Sequence, residues 1–257
     1  MRREEEQHLS PPHRLTHSIA LPPTAHCSPL TDMNLLETIE LQTGDHPTAS
    51  VIWMHGLGAD GNDFVPIVNE LDLTDGATIR FVFPHAPHMP VSINNGYVMR
   101  AWYDVTFGDL EGKSRRADEK GLRASQAAVN LLIEREIERG IPAARIVLAG
   151  FSQGGAMTLM TGLRYPEKLA GMIVLSSYLP LAETAAAEAT PVNRDTPIFM
   201  AHGTQDPVVP HQMGAESRKK LVELGYTVEW HDYPMPHSVC MEEVHDIAAW
   251  MRRVLPR

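Results

Sequence analysis

Ile146-Val147-Leu148-Ala149-Gly150-Phe151-Ser152-Gln153-Gly154-Gly155 decides how the rest of the chain is read. Its opening run, Ile146 to Leu148, is apolar on every position and suits a buried strand. A second apolar run, Ala156 to Leu163, suits a buried helix. Between them lies Gly-x-Ser-x-Gly. Strand, sharp turn and helix form the setting that a nucleophile elbow requires, with the serine in a strained backbone conformation and its hydroxyl clear of the sheet. A side chain two residues to either side of Ser152 would meet the crossing backbone, so Gly150 and Gly154 have a steric reason to be glycine. Gly155 lets the helix pack closely on the strand. The same turn sets the Gln153 amide at a helix N-terminus, where the dipole favours negative charge. The pentapeptide alone also occurs without function, so its weight depends on what flanks it and on its partners downstream.

Upstream of it, Leu35 to Leu41 alternates and suits an edge strand, and Ser50 to His55 is apolar on both sides and suits a central one. Asn62 or Asp63 is placed to cap a helix running through Leu71. Ile79 to Phe83 reads as the next strand and stops at Pro84-His85-Ala86-Pro87. Val91 to Gly112 reads as a long irregular segment. Asp118 opens an amphipathic helix that Gly140-Ile141-Pro142 closes. Downstream, Leu169 to Leu175, Pro197 to Ala201 and Thr227 to Tyr233 read as strands. His211 to Leu224 and Met241 to Val254 read as helices. Strands alternating with helices predict an α/β fold: one domain, residues 34–257, built on a mostly parallel, doubly wound sheet with helices on both faces. Residues 1–33 hold prolines, histidines and charges without a hydrophobic period and are expected to be a disordered extension, with Met33 as an alternative start.

The chain has 257 residues and a formal net charge of -10, a balance that repels phosphate backbones and disfavours nucleic-acid binding. No apolar run approaches the ~20 residues that span a bilayer, so no stable membrane insertion is expected. Two cysteines, Cys27 and Cys240, make no disulfide framework, and the charged N-terminus leads into no signal-peptide core. A cytoplasmic location is the expectation.

In an open α/β sheet, function sits in loops at the carboxyl ends of strands. Three such loops carry reactive groups: Ser152 itself, Asp206 in His202-Gly203-Thr204-Gln205-Asp206-Pro207-Val208-Val209-Pro210, and His237 in Pro234-Met235-Pro236-His237-Ser238. A serine hydroxyl is a poor nucleophile until a neutral imidazole takes its proton, and a buried carboxylate fixes that imidazole's tautomer. Serine, acid, histidine is the chain order of the α/β-hydrolases. An oxyanion needs two amides; those of Gln153 and of Leu57, in the glycine-rich His55-Gly56-Leu57-Gly58-Ala59-Asp60-Gly61, are the candidates.

These pieces, with Trp102-Tyr103-Asp104, make the chain resemble the carboxylesterase and acyl-protein thioesterase (lysophospholipase-like) family of small α/β-hydrolases. The resemblance spans nearly everything after Met33. It implies Ser152, Asp206 and His237 as a triad, Leu57 and Gln153 as the oxyanion hole, and a lid after Asp104. It implies a small-molecule acyl ester or thioester as substrate, no cofactor and no metal, and a homodimer as an assembly open to the chain. Leu179, in Ser177-Tyr178-Leu179-Pro180, matches a position near the acyl channel; Phe107 and Leu110 are apolar and suited to line it. The activity expected first is hydrolysis of short- to medium-chain acyl esters through an acyl-enzyme. The alternative is thioesterase or lysophospholipase action on long acyl chains. The chain departs from the family in its N-terminal extension and in the basic run Lys113-Ser114-Arg115-Arg116, which would attract anionic substrates or headgroups.

Other classes fit less well. Thirteen histidines include no His-Glu-x-x-His and no zinc-spaced cluster, so His85, His88, His202 and His231 read as loop or supporting residues. Cys240 as nucleophile competes with a serine already on the elbow. An inactive binding protein on a hydrolase fold would be expected to have lost a triad member, and none is lost.

Overall fold

The computed structural model describes residues 35–73, 76–106, 108 and 118–257. The strands are β1 (Thr38–Gln42), β2 (Ala49–Met54), β3 (Ile79–Pro84), β4 (His88–Val91), β5 (Tyr97–Arg100), β6 (Ile146–Phe151), β7 (Gly171–Leu175), β8 (Ile198–Gly203) and β9 (Val228–Tyr233). Seven of them form one sheet in the order β1-β3-β2-β6-β7-β8-β9. β1 pairs antiparallel at the edge, and every other pairing in this sheet is parallel.

Helices α1 (Ile67–Glu70), α2 (Glu119–Glu138), α3 (Gln153–Gly162), α4 (Ala185–Glu188), α5 (His211–Glu223) and α6 (Met241–Val254) connect or follow them. All six residues of β2 are buried because both faces of the sheet are covered. Val51 and Trp53 pack on one side, with Val147, Ile247 and Trp250. Ile52 and Met54 pack on the other, with Leu132, Leu148 and Met157. The period-2 alternation of the strand therefore feeds two cores. The sheet is doubly wound, as the alternation of elements predicts.

Asp118 caps α2 as expected, its carboxylate accepting from the Gly121 amide at 2.9 Å. Gly140 ends it with φ 93°, a conformation that favours glycine. Glu136, on α2 and fully buried, accepts from Arg80 Nη1 at 2.8 Å and Ser50 Oγ at 2.6 Å, which ties the helix to the sheet.

Two local expectations are corrected. The helix expected from Asn62 or Asp63 to Leu71 is only the single turn of α1, and neither residue caps it. Pro66 has no N–H for an interior helical bond, and the stretch before it closes i→i+3 turns instead, Asp63 to Asp60 and Val65 to Asn62. The segment Val91 to Gly112 is not irregular at its start: β4 and β5 pair as a hairpin of their own, Val91 opposite Tyr97. The turn between them takes Asn95 and Gly96 at φ 56° and 76°. The expected N-terminal extension and the basic run at 113–116 lie outside the described residues. Among the described residues no helix is long and apolar enough to cross a membrane.

Glu243, in the first turn of α6, is fully buried, and neither carboxyl oxygen has a hydrogen-bond partner among the described residues. Burial pushes its carboxyl up to about 8; the Cys240 main chain opposes this and Asp246 adds to it. An acid raised in the folded state favours the fold at low pH. That contribution is complete below the unfolded value near 4.5 and is lost as pH rises toward 8. Glu243→Gln is therefore expected to melt higher than wild type at pH 8, on the order of 5 °C, with the gap closing by pH 5. Thermal melts of both proteins across this range check it; a gap that does not change with pH would contradict it.

Candidate active site

Ser152 sits between β6 and α3 at φ 55° and ψ -120°, a left-handed backbone that a side chain adopts only under constraint. The constraint is visible on both sides. A Cβ at Gly150 would stand 2.2 Å from the Gly154 carbonyl carbon, and one at Gly154 would stand 2.1 Å from the Met54 carbonyl oxygen. The strand-to-helix turn thus passes against the end of β2 at a distance only hydrogen allows. Leu175 accepts from the Ser152 amide at 2.9 Å, and Ser177 Oγ donates to the Ser152 carbonyl at 2.7 Å. The neighbouring β7 end therefore holds the turn through its main chain, and the Ser152 hydroxyl has no part in it.

The loop after β2 runs directly past Ser152. A Cβ on Gly56 would lie 3.4 Å from Ser152 Cβ. Within this loop Gly58 N donates to Arg100 O and Ala59 N to Gly56 O, while the Leu57 amide pairs with nothing among the described residues. Gln153 opens α3, where first-turn amides find no carbonyl in their own helix. Two main-chain donors thus stand near the serine.

The loop is braced from behind. His55 Nδ1–H donates to the Gly56 carbonyl at 2.7 Å, and its Nε2 accepts from the Ala86 amide at 3.0 Å. Burial pushes this imidazole down to about 4, so it is neutral, as both bonds require. Trp102 Nε1 donates to the His55 carbonyl at 2.9 Å. The Gln153 side chain accepts from the Trp102 amide at 3.0 Å and donates to the Tyr103 carbonyl at 2.8 Å. One side chain of the elbow thereby fixes Trp102-Tyr103-Asp104 beside it.

Asp206 and His237 meet at the carboxyl ends of β8 and β9. His237 Nδ1 lies 2.6 Å from Asp206 Oδ2, and its Nε2 is free of hydrogen bonds among the described residues. Asp206 Oδ1 accepts from the amides of Val208 and Val209 at 2.8 and 2.9 Å. Burial alone would raise this carboxyl. The His237 bond and the two amides outweigh it and hold Asp206 below its ordinary value, so it is ionised at neutral pH. His202 completes the support: Nε2–H donates to the Val209 carbonyl at 2.9 Å and stands 3.5 Å from Asp206 Oδ2. Its ring is buried, and burial pushes its pKa down. The Phe151 ring, one residue before the serine, packs on His237 with centroids 4.6 Å apart.

A cavity of about 200 Å³ opens on Ser152 and Gln153, walled by Leu57, Ile93, Val105, Tyr178, Val208 and Val209. Its surface is mainly apolar, and it is one that an extended hydrocarbon would wet better than water does. The structure brings together Ser152, Gln153 and Leu57 here, and pairs Asp206 with His237. Phe107 and Leu110 lie outside the described residues. Leu179 does not line this cavity: it packs in the core with Leu159 and Leu163 and lines a neighbouring cavity, beside Met213 and Ser217. Its amide is held by Ser217 Oγ at 2.8 Å, which turns the side chain from the serine. The wall residue is its neighbour Tyr178. Ile93, Val105 and Val208 also escaped the sequence reading; only their apolar character in loops near the motifs pointed to them.

Comparison with known proteins bears on the family and the fold. A family model described as phospholipase/carboxylesterase matches residues 37–255. Acyl-protein thioesterase 1 of Neurospora crassa is 45% identical over 217 residues, covering 82% of this chain and 88% of that protein. The crystal structure of Arabidopsis thaliana SOBER1 superposes with a TM-score of 0.73 at 32% identity, covering 80% of this chain and 98% of the other. Zea mays acyl-protein thioesterase 2 gives a TM-score of 0.73 at 28% identity, covering 85% and 98%. With the elbow, the sheet order and the matched span in accord, the chain belongs to the phospholipase/carboxylesterase family of α/β-hydrolases.

Proposed function

We propose that this hydrolase cleaves acyl thioesters and esters, with S-acylated protein cysteines as the thioester of first interest, through a Ser152–His237–Asp206 triad. The observation that carries the chemistry is the ionised Asp206 bonded to His237 Nδ1 at 2.6 Å, which leaves Nε2 to act as base for Ser152, whose strained turn borders the apolar cavity. The names of the relatives favour the thioester reading over the short- to medium-chain esterase that the sequence alone put first.

In this reading His237 Nε2 takes the Ser152 proton as Oγ attacks the acyl carbonyl. The amides of Leu57 and Gln153 hold the oxyanion, and such a donor contributes about 3–4 kcal/mol to the transition state. His237 then protonates the leaving thiol or alcohol. Water, deprotonated by the same nitrogen, releases the fatty acid and regenerates Ser152. The apolar cavity takes the first part of the acyl chain.

The test is one substrate panel: p-nitrophenyl esters from acetate to palmitate beside a palmitoyl-S-cysteine peptide. Cleavage of the thioester peptide, with kcat/KM on long chains above that on acetate, is the expected result. Turnover confined to short esters with the thioester untouched would return the function to a general carboxylesterase. No turnover, with no labelling of Ser152 by a fluorophosphonate, would mean a binding protein.

A further inference from the structure

Past Asp206 the chain turns tightly through Pro207-Val208-Val209, and side chains hold that turn. Among the described residues neither valine has a hydrogen bond from its main chain to another main-chain group. Their amides donate to Asp206 Oδ1 at 2.8 and 2.9 Å, and the Val209 carbonyl accepts from His202 Nε2 at 2.9 Å. A carbonyl only accepts, so the proton of the neutral ring sits on Nε2. The same nitrogen stands 3.5 Å from Asp206 Oδ2, the oxygen that bonds His237.

The His202 ring is buried and fixed by its neighbours. Trp230 stacks on it with centroids 6.2 Å apart, and His211 meets it edge-on at 5.7 Å. From behind, α5 comes so close that a Cβ on Gly214 would stand 2.4 Å from His202 Nδ1. That Nδ1 has no hydrogen-bond partner among the described residues. An unpaired buried nitrogen costs stability, and a phenyl ring would fill the same slot without it. What the imidazole adds there is the donor at Nε2.

We infer that His202 is a positioning residue: its Nε2–H fixes the Val209 carbonyl, closes the turn around the Asp206 carboxylate and so aims Oδ2 at His237 Nδ1. This rests on the triad reading and adds the group that sets its acid. Without that donor the buried Val209 carbonyl is left unpaired, and the turn shifts to relieve it. The two amides on Oδ1 move with the turn, and the bond to His237 loses its alignment.

The experiment measures kcat on the p-nitrophenyl ester that wild type cleaves fastest, in wild type, His202→Phe, His202→Gln, Asp206→Asn and the double variant His202→Phe with Asp206→Asn. Phenylalanine keeps a ring against Trp230 and loses the donor. Its kcat is expected to fall on the order of 10²-fold, the scale of a small misplacement in a catalytic array. Glutamine offers an N–H near the place of Nε2 and is expected to recover most of that loss. On Asp206→Asn the same phenylalanine should cost less than about threefold more, because a group acting through the carboxylate has nothing left to aim. A kcat in His202→Phe within about threefold of wild type, glutamine no faster than phenylalanine, or the full loss repeated on Asp206→Asn would overturn the inference. If His202→Phe fails to fold, Gly214→Ala takes its place: alanine favours helix α5 but pushes the ring from behind, and its kcat is compared with wild type and on Asp206→Asn in the same way. If wild type cleaves no ester, the acyl-hydrolase reading fails on its own. The far-downfield proton resonance of the His237–Asp206 bond, assigned by its loss in Asp206→Asn, then decides: displaced or lost in His202→Phe it supports the inference, and unchanged it overturns it.

Discussion

Replacing Ser152 by alanine is expected to lower kcat by roughly 10⁴-fold or more, because the nucleophile of a triad works as a unit with its base and little remains once it is gone. The fold should not notice. The turn is held through the Ser152 main chain, whose amide donates to Leu175 O and whose carbonyl accepts from Ser177 Oγ, and the Ser152 hydroxyl has no hydrogen-bond partner among the described residues. Alanine keeps the same Cβ, so the strain at φ 55° is carried over unchanged. The check is a pair of measurements on one preparation: turnover of the preferred ester and a thermal melt. A melting temperature equal to wild type with turnover abolished is the expected pair. Undiminished turnover would remove Ser152 from the mechanism.

Asp206→Asn carries the second largest effect, a fall in kcat of about 10⁴, the size seen when the same exchange is made in a known Ser-His-Asp triad. The surroundings dictate which way the amide must point. Oδ1 accepts two bonds, from the amides of Val208 and Val209, and an NH₂ group placed there would face two donors. The asparagine therefore keeps its oxygen on those amides and turns its NH₂ toward His237. That forces His237 Nδ1 to accept and moves its proton to Nε2, so the nitrogen facing the substrate can no longer take the serine proton. Binding should suffer little, since Asp206 does not line the cavity on Ser152. The readout is a split: kcat falls with KM near wild type, and the melting temperature shows no collapse. Asp206 is held below its ordinary value, so its carboxylate stays ionised on the acid side of neutrality and does not account for activity lost there.

Both outcomes depend on how the loops meet, and here the sequence and the tertiary structure divide the work. The elbow was legible because its demands are local. Strand, Gly150, Ser152, Gly154 and helix follow one another in the chain, and the steric conflict that excludes larger residues lies within a few residues of the turn or on the adjoining strand. The doubly wound sheet was legible for a similar reason. Buried parallel strands need apolar residues on both faces, as in β2, and the alternation with helices forces the crossovers. The placement of Ser152, Asp206 and His237 at the carboxyl ends of β6, β8 and β9 followed from that topology.

What the chain could not declare was which side of each loop faces the serine. Leu179 and Tyr178 are neighbours, and a loop residue has no period from which to read its direction. The bond from Leu179 N to Ser217, far along the chain, turns Leu179 toward α5 and presents Tyr178 to both cavities. The hairpin of β4 and β5 was equally hidden, since its strands are four residues each, with Pro90 inside one and exposed Tyr97 and Val98 in the other. His202 read as one loop histidine among several until β8 ended beside Asp206 and the ring reached the Val209 carbonyl. By itself, then, the sequence determined the scaffold and located the candidate reactive groups on it, because sterics and periodicity act between near neighbours. The tertiary structure alone decided the cavity walls, Tyr178 among them, and the support beneath Asp206, because those contacts join loops that only the assembled sheet brings together.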